Sequence, residues 1–288
     1  MISERLPLWL RQPHDYSIHR TVKTRLRKRR LKTVCEEARC PNRTRCFSKP
    51  TATYMILGAT CTRGCGFCAV DHGTPEKINT IEPEMIAEAA REMNLKHVVV
   101  TSVTRDDLPD GGAEQFARTI LAIRASLHEA SVEVLIPDFG GNMNALETVL
   151  GARPDVLNHN IETVPSLYKT VRPLANYNRS LLLLKRAGEH EVVLKSGLML
   201  GFGESYDEVL SVLSNLREVG CDLLTIGQYM RPGRTNIAVK EYVLPEVFES
   251  LSKDALDMGF RFVLSDPLAR SSMNAQEAYR SINGREQV

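Results

Sequence analysis

The chain has 288 residues, 43% of them hydrophobic and 25% charged, with a formal net charge of +2. A sizeable core can be buried, and the length fits one large α/β barrel or two ordinary domains. A charge this close to zero does not by itself imply a nucleic-acid partner, and no apolar run approaches the roughly 20 residues that cross a bilayer.

The longest aliphatic block, residues 181–184, ends at Lys185-Arg186. No basic flank precedes an apolar stretch at the N-terminus, so no secretory signal is expected and a cytoplasmic location follows as the default. Reduced cysteines there are metal ligands or catalysts more often than disulfide partners. Seven cysteines are present and six fall between Cys35 and Cys68. An odd total argues further against a disulfide framework.

Residues 1–50 are rich in Arg, Pro and Cys and show no long period; they read as a metal-organised extension containing a basic helix over 21–31. From residue 51 the pattern changes. Residues 51–57 (TATYMIL) are β-branched and aromatic, as a strand requires. Residues 82–93 carry apolar side chains at helical spacing, with Pro83 in the first turn. The alternation repeats: strand 97–102, helix 113–127, strand 132–136, helix 145–150, strand 156–160, helices 166–169 and 180–187. Strand 192–200, helix 206–219, strand 223–227, helix 245–258 and strand 260–264 complete it.

Strands alternating with helices of this length imply parallel β-α units. About six of them predict a partial (β/α)6 TIM-like barrel over 51–264, with residues 265–288 as a C-terminal segment. A doubly wound sheet is the alternative, because strand order is not written in one sequence. Polar residues cluster just after strands, at Thr101-Ser102, Asp138, Asn158-His159-Asn160, Gly201 and Gln228. Barrel enzymes place their chemistry at that rim.

Cys61-Thr62-Arg63-Gly64-Cys65-Gly66-Phe67-Cys68 has the spacing C-x3-C-x2-C directly after a predicted strand. Three thiolates on one tight loop can hold three irons of a [4Fe–4S] cluster and leave the fourth open. Gly64 and Gly66 let the loop close around the inorganic core. The competing reading is structural zinc, which wants four ligands, and no fourth Cys or His completes this loop locally. A second triplet, Cys35, Cys40 and Cys46, has the spacing C-x4-C-x5-C in an Arg-rich setting that is poor core material.

The CTRGCGFC loop resembles the radical S-adenosylmethionine (SAM) superfamily. With the second triplet the chain resembles the lipoyl synthases of that superfamily. TVCEEARCPN, TSVTRDDLPDGGA, EVLIPDFGG, PDVLNHNIETV, KSGLMLGFGE, LLTIGQY and PLARSS all fit. The resemblance implies two [4Fe–4S] clusters and SAM. Cys61, Cys65 and Cys68 would hold the SAM-binding cluster, and Cys35, Cys40 and Cys46 an auxiliary cluster completed by Ser272, from the family's Arg-Ser-Ser-Tyr motif. Here that motif reads Arg270-Ser271-Ser272-Met273, so methionine replaces tyrosine. Thr235-Asn236 and Ala238 depart from common family histidines and a proline. By the same resemblance Phe67, Thr101, Ser102, Asp106, Asn160, Glu162, Arg172, Lys195 and Met199 contact SAM. Arg172 suits a carboxylate, which a guanidinium binds in a fixed fork.

The resemblance implies sulfur insertion at C6 and C8 of an octanoyl-lysine. Its partners would be an octanoylated lipoyl-carrier domain (the acyltransferase subunit of a 2-oxoacid dehydrogenase, or the glycine cleavage H protein), a ferredoxin or flavodoxin as electron donor, and an iron–sulfur carrier that rebuilds the auxiliary cluster. The basic stretch 20–32 would dock the acidic carrier. No membrane or nucleic-acid partner is expected. The rivals are a radical methylthiotransferase acting on tRNA, a lipoyl synthase paralogue on a related substrate, and a non-catalytic metal-binding, nucleic-acid-binding protein that uses the basic helix.

Overall fold

A computed structural model describes residues 6–11, 31–43, 46 and 53–284. The expected basic helix, apart from Leu31, lies outside the described residues. The chain forms two compact units: the first comprises Pro13–Gly64 and Ala69–Asn158, the second Met1–Gln12, Cys65–Cys68 and His159–Val288.

The first unit contains β1 (Lys32–Thr33), α1 (Val34–Glu37), β2 (Thr53–Ile56), β3 (Thr60–Cys61), β4 (Asp71–His72), α2 (Glu82–Glu92) and β5 (His97–Ser102). It continues through α3 (Ala113–Ser126), β6 (Ser131–Leu135), α4 (Met143–Gly151) and β7 (Val156–Asn158). Its sheet runs β1-β2-β5-β6-β7. Strand β1 is antiparallel to β2 and the remaining pairs are parallel. Parallel strands flanked by helices are buried on both faces and read as continuous apolar runs, as Val98, Val99 and Val100 do. The register sets Ile56 opposite Ser102, Thr101 opposite Leu135 and Leu135 opposite Asn158. The strands therefore end together, and the polar residues that follow them share one edge.

Helix α2 starts with Pro83 in its first turn, where a missing N–H costs nothing. The buried Glu82 carboxylate accepts Leu57 N at 3.0 Å and Gln115 Nε2 at 3.1 Å. Burial pushes its carboxyl up, against those two donors. The contribution of this group to stability is present below its ordinary range and is lost as pH rises through the elevated value. Glu82→Gln keeps an acceptor for both donors and removes the charge. It is expected to gain stability over the parent as pH rises from about 4 to about 8. Urea unfolding across that range checks this; a difference independent of pH refutes it.

The second unit contains α5 (Tyr168–Val171), α6 (Tyr177–Ala187), β8 (Val193–Leu200), α7 (Tyr206–Glu218), β9 (Leu223–Gln228), α8 (Pro245–Asp257), β10 (Phe262–Ser265) and α9 (Ala275–Asn283). Strands β8, β9 and β10 are adjacent and parallel, with Leu200 opposite Gln228 and Ser265 opposite Ile226. Helix α7 opens with a reciprocal capping box between Ser205 and Glu208. The short helix expected over 166–169 sits slightly later, as α5, behind a 3-10 turn at Pro165–Leu167. Helix α9 is an addition to the expected series. Ala275, Ala278 and Ile282 are its buried residues, at the spacing of one helical face.

Candidate functional site

Strand β3 delivers Cys61 to the start of the cysteine loop. The Cys61 Sγ accepts the backbone N–H groups of Arg63 at 3.4 Å and Thr104 at 3.3 Å. Thr62 fixes the same corner: its N and Oγ1 each donate to Thr104 O at 3.0 Å, and its Oγ1 accepts Asp106 N at 3.0 Å.

Arg63 locks the arrangement. Its Nε and Nη2 donate to the two Asp106 carboxylate oxygens, each at 2.6 Å, and Nη2 lies 2.8 Å from Asp138 Oδ1. Arg63 is 8% exposed and Asp138 1%. Burial opposes the guanidinium charge, but the two carboxylates outweigh it and raise its pKa above the ordinary value. Both Asp106 oxygens thus serve Arg63. Sequence reasoning passed over Arg63; the available signal was an arginine inside the triplet with aspartates after the next two strands.

Cys65–Cys68 belongs to the second unit. Gly66 N donates to Val171 O at 3.0 Å, and Ile237 N donates to Gly66 O at 3.0 Å. Asn236 Nδ2 adds bonds to Cys68 O at 2.7 Å and Gly66 O at 3.3 Å. A Cβ on Gly66 would stand 2.4 Å from Ile237 Cδ1, so any larger residue there would force the Ile237 side chain to move. Phe67 packs against buried Val171, Phe202 and Tyr229, and Met199 joins the same cluster. Phe202 and Tyr229 are stacked with centroids 4.3 Å apart. Two residues expected to contact SAM therefore share one apolar wall.

Asn160, Glu162 and Arg172 also converge. Asn160 Nδ2 donates to Glu162 Oε1 at 3.1 Å. Arg172 Nη1 donates to the carbonyls of Asn160 and Ile161, both at 3.0 Å, and its guanidinium lies over the Tyr168 ring. Burial pushes the Glu162 carboxyl up, opposed by the Arg172 charge and the Asn160 bond. Lys195 is buried on β8, and its carbonyl accepts His159 N at 3.1 Å. In the first unit, Thr101 Oγ1 donates to Leu135 O at 3.0 Å. Ser102 Oγ is buried with no partner among the described residues, an orphaned hydroxyl suited to a bound polar group.

The second triplet crowds together. Cys35 is buried at α1, Cys40 N donates to Cys35 O at 3.2 Å, and Cys46 N donates to Asn42 O at 2.9 Å. Burial, reinforced by the nearby Cys40 and Cys46 sulfurs, pushes the Cys35 thiol up to about 12. Sulfurs that repel one another's charge suit a cation centre, which displaces their protons. Among the described residues no three Cys, His, Asp or Glu side chains close on a single ion. A cubane gives each thiolate its own iron, so its ligands stand at separate corners. Soft thiolates, sulfur-directed N–H groups and the orphaned Ser102 hydroxyl fit the expected clusters and cofactor.

Ser272 sits in a turn closed by Met273 N on Arg270 O at 2.8 Å. Of the other polar residues after strands, His159 Nε2 pairs with Ser180 Oγ at 2.9 Å, and Gln228 Nε2 donates to three backbone carbonyls. Those roles are architectural. Cys221 is fully buried, and burial pushes its thiol up to about 12.

Residues 55–241 match the model of the radical SAM superfamily. The chain is 53% identical to the lipoyl synthase of Alkaliphilus metalliredigens over 89% of either chain. It is 51% identical to that of Caldicellulosiruptor saccharolyticus over 98% of this chain and 100% of the relative. The chain belongs to the lipoyl synthase family.

Family membership brings radical SAM sulfurtransferase activity, with [4Fe–4S] clusters and SAM as cofactors. Solved structures share the fold at low identity. Streptococcus suis SuiB bound to S-adenosylmethionine superposes with a TM-score of 0.59 at 13% identity, over 77% of this chain and 54% of that one. HydG, a maturase of the [FeFe]-hydrogenase, gives 0.58 at 15% identity, over 95% of this chain and 61% of that one. The expected α/β, TIM-like barrel class is the class of these neighbours. Among the described residues no helix is long and apolar enough to cross a membrane.

Proposed function

We propose that this lipoyl synthase family chain inserts sulfur at C6 and C8 of an octanoyl-lysine displayed by a lipoyl-carrier domain, using Cys61, Cys65 and Cys68 for the SAM-binding cluster. The observation that carries the site assignment is Cys61 Sγ accepting two backbone N–H groups at the head of a C-x3-C-x2-C loop. Such donors stabilise negative charge on a ligating sulfur and tune a cluster's potential. Cys35, Cys40, Cys46 and Ser272 are assigned to the auxiliary cluster. An alkoxide is a harder and poorer match for iron than thiolate, so Ser272 is the natural ligand to let go.

When bound, the two clusters and SAM supply the electron, the hydrogen-abstracting radical and the sulfur, at C–H bonds too inert for any side-chain base. The chain's own part is orientation and exclusion of water. The Phe67 and Met199 wall takes the adenine. Asn160, Glu162 and Arg172 take the ribose and amino-acid end, with Lys195 beside them on β8. Thr101, Ser102 and the Arg63-bound Asp106 line the edge that receives the methionine amine. The carrier is the acyltransferase subunit of a 2-oxoacid dehydrogenase or the glycine cleavage H protein. A ferredoxin or flavodoxin feeds electrons, and an iron–sulfur carrier restores the auxiliary cluster.

The test is mass spectrometry of an octanoyl-lysine peptide after anaerobic turnover with reductant and SAM. A product heavier by two sulfur atoms is expected, with 5′-deoxyadenosine formed alongside. SAM consumed with the peptide unchanged, or a methylthio product, overturns the proposal.

A further inference from the structure

The Ser272 turn is tied to the polar residues of the SAM site through one amide. Ser271, immediately before the proposed cluster ligand, donates its Oγ–H to Asn160 Oδ1 at 3.2 Å. The other end of the same carboxamide, Nδ2, donates to Glu162 Oε1 at 3.1 Å. Ser271 and Glu162, 109 positions apart, are thus joined by a single side chain whose acceptor faces the turn and whose donor faces the carboxylate.

Both ends are rigidly supported. A Cβ on Gly197 would stand 3.2 Å from Asn160 Oδ1 and 3.0 Å from Thr225 O, so β8 presents a bare backbone against which the amide lies. Glu162 holds φ of +67°, a conformation side-chain-bearing residues seldom adopt. It is kept there by Glu162 N on Gly197 O at 3.0 Å and Met199 N on Glu162 O at 2.9 Å. On the other side, a Cβ on Gly227 would lie 2.3 Å from Ala269 O, and Gln228 N donates to Pro267 O at 3.1 Å. The strand ends therefore pin residues 267–269, and the Ser271 bond to Asn160 tethers the residue next to Ser272.

From these contacts we infer that Ser271 and Asn160 couple occupancy of the SAM site to the seating of Ser272, with Ser271 as a positioning residue. This rests on the proposed assignment of Glu162 to SAM and of Ser272 to the auxiliary cluster. Ribose hydroxyls that donate to Glu162 favour the ionised carboxylate, and a hydrogen bond to a carboxylate is shorter and stronger than one to a neutral acid. The Asn160 amide is then held with Nδ2 towards Glu162, which leaves Oδ1 aimed at Ser271. Coupling of this kind is reciprocal, so a seated Ser272 turn also tightens SAM binding. The serine ligand is accordingly held most firmly while SAM is bound and most loosely after its products leave.

The full chain, reconstituted anaerobically with iron and sulfide, is examined by hydrogen–deuterium exchange with and without SAM, and by equilibrium SAM binding. In the parent protein SAM is expected to slow exchange at residues 270–273 by about tenfold. Ser271→Ala is expected to abolish that slowing and weaken SAM binding about fivefold. Ser271→Thr, which keeps the hydroxyl, retains both. If SAM binds the parent without altering exchange at 270–273, or if Ser271→Ala keeps the full protection, the coupling is refuted while the functional proposal stands. If SAM fails to bind the reconstituted parent at all, the functional proposal fails and the coupling with it.

Discussion

Replacing Arg63 with alanine is expected to destabilise the protein by about 3–5 kcal/mol, the usual cost of stripping one partner from a buried ion pair. The size follows from what is left behind. Asp138 is 1% exposed and would lose the guanidinium 2.8 Å away, leaving a buried carboxylate without its compensating charge. Asp106 is partly exposed and can turn to water, so Asp106→Asn should cost far less. Arg63→Lys keeps a charge but cannot present Nε and Nη2 in parallel to one carboxylate, so an intermediate loss is expected. The alanine variant keeps the backbone N–H that donates to Cys61 Sγ but loses the side-chain anchor that fixes this stretch of loop, so it should bind iron poorly in the SAM-binding cluster as well. Urea unfolding and iron analysis of anaerobically prepared protein check both effects. Parent-like stability in Arg63→Ala would show that Asp138 finds another partner.

Two ligand variants should separate the clusters. The parent chain is expected to carry about eight irons and eight sulfides, two cubanes' worth. Cys61→Ala should fall to about four irons and lose SAM cleavage, because one iron corner and its pair of N–H donors lose their common sulfur. Ser272→Ala should keep SAM cleavage and lose sulfur insertion. The three cysteines of the extension still hold the auxiliary cluster's other irons, but the position proposed to open is no longer serine. Counting 5′-deoxyadenosine against thiolated peptide reads the difference. Unchanged product in Ser272→Ala removes Ser272 from the ligand set, and zinc at stoichiometric level in the parent removes the enzyme reading.

Much of this arrangement is readable in the sequence because it is local. Three cysteines within eight residues cannot be far apart, whatever the fold. The parallel strands announce themselves through runs such as HVVVTS, which only a doubly covered sheet can bury. Contacts between distant segments are a different matter. An arginine inside the triplet and aspartates after two strands are visible in the sequence, but that Asp106 and Asp138 stand beside Arg63 depends on the in-register ends of β5 and β6. Ile237 crowds Gly66 from a position far along the chain, a neighbour that the loop's own sequence does not announce. The pairing of Asn160 with Ser271 has no local signature at all. Helix α9 escaped because its buried face rests on two alanines and one isoleucine, too faint an apolar stripe for a nine-residue segment.

The backbone bonds from Gly66 to Val171 and Ile237 bear on the order of events during synthesis. The Asn236 partner of this loop lies 170 residues downstream. At roughly 5–20 residues per second a ribosome needs about 10–30 seconds after making Gly66 to supply it. For that interval the thiols at 61, 65 and 68 exist on a nascent chain without their final scaffold, exposed to oxidation and to the wrong metal. Iron loading of this loop is therefore expected to be completed only after residues 236 and 237 have been made, and a chain truncated before residue 236 should be unable to complete it.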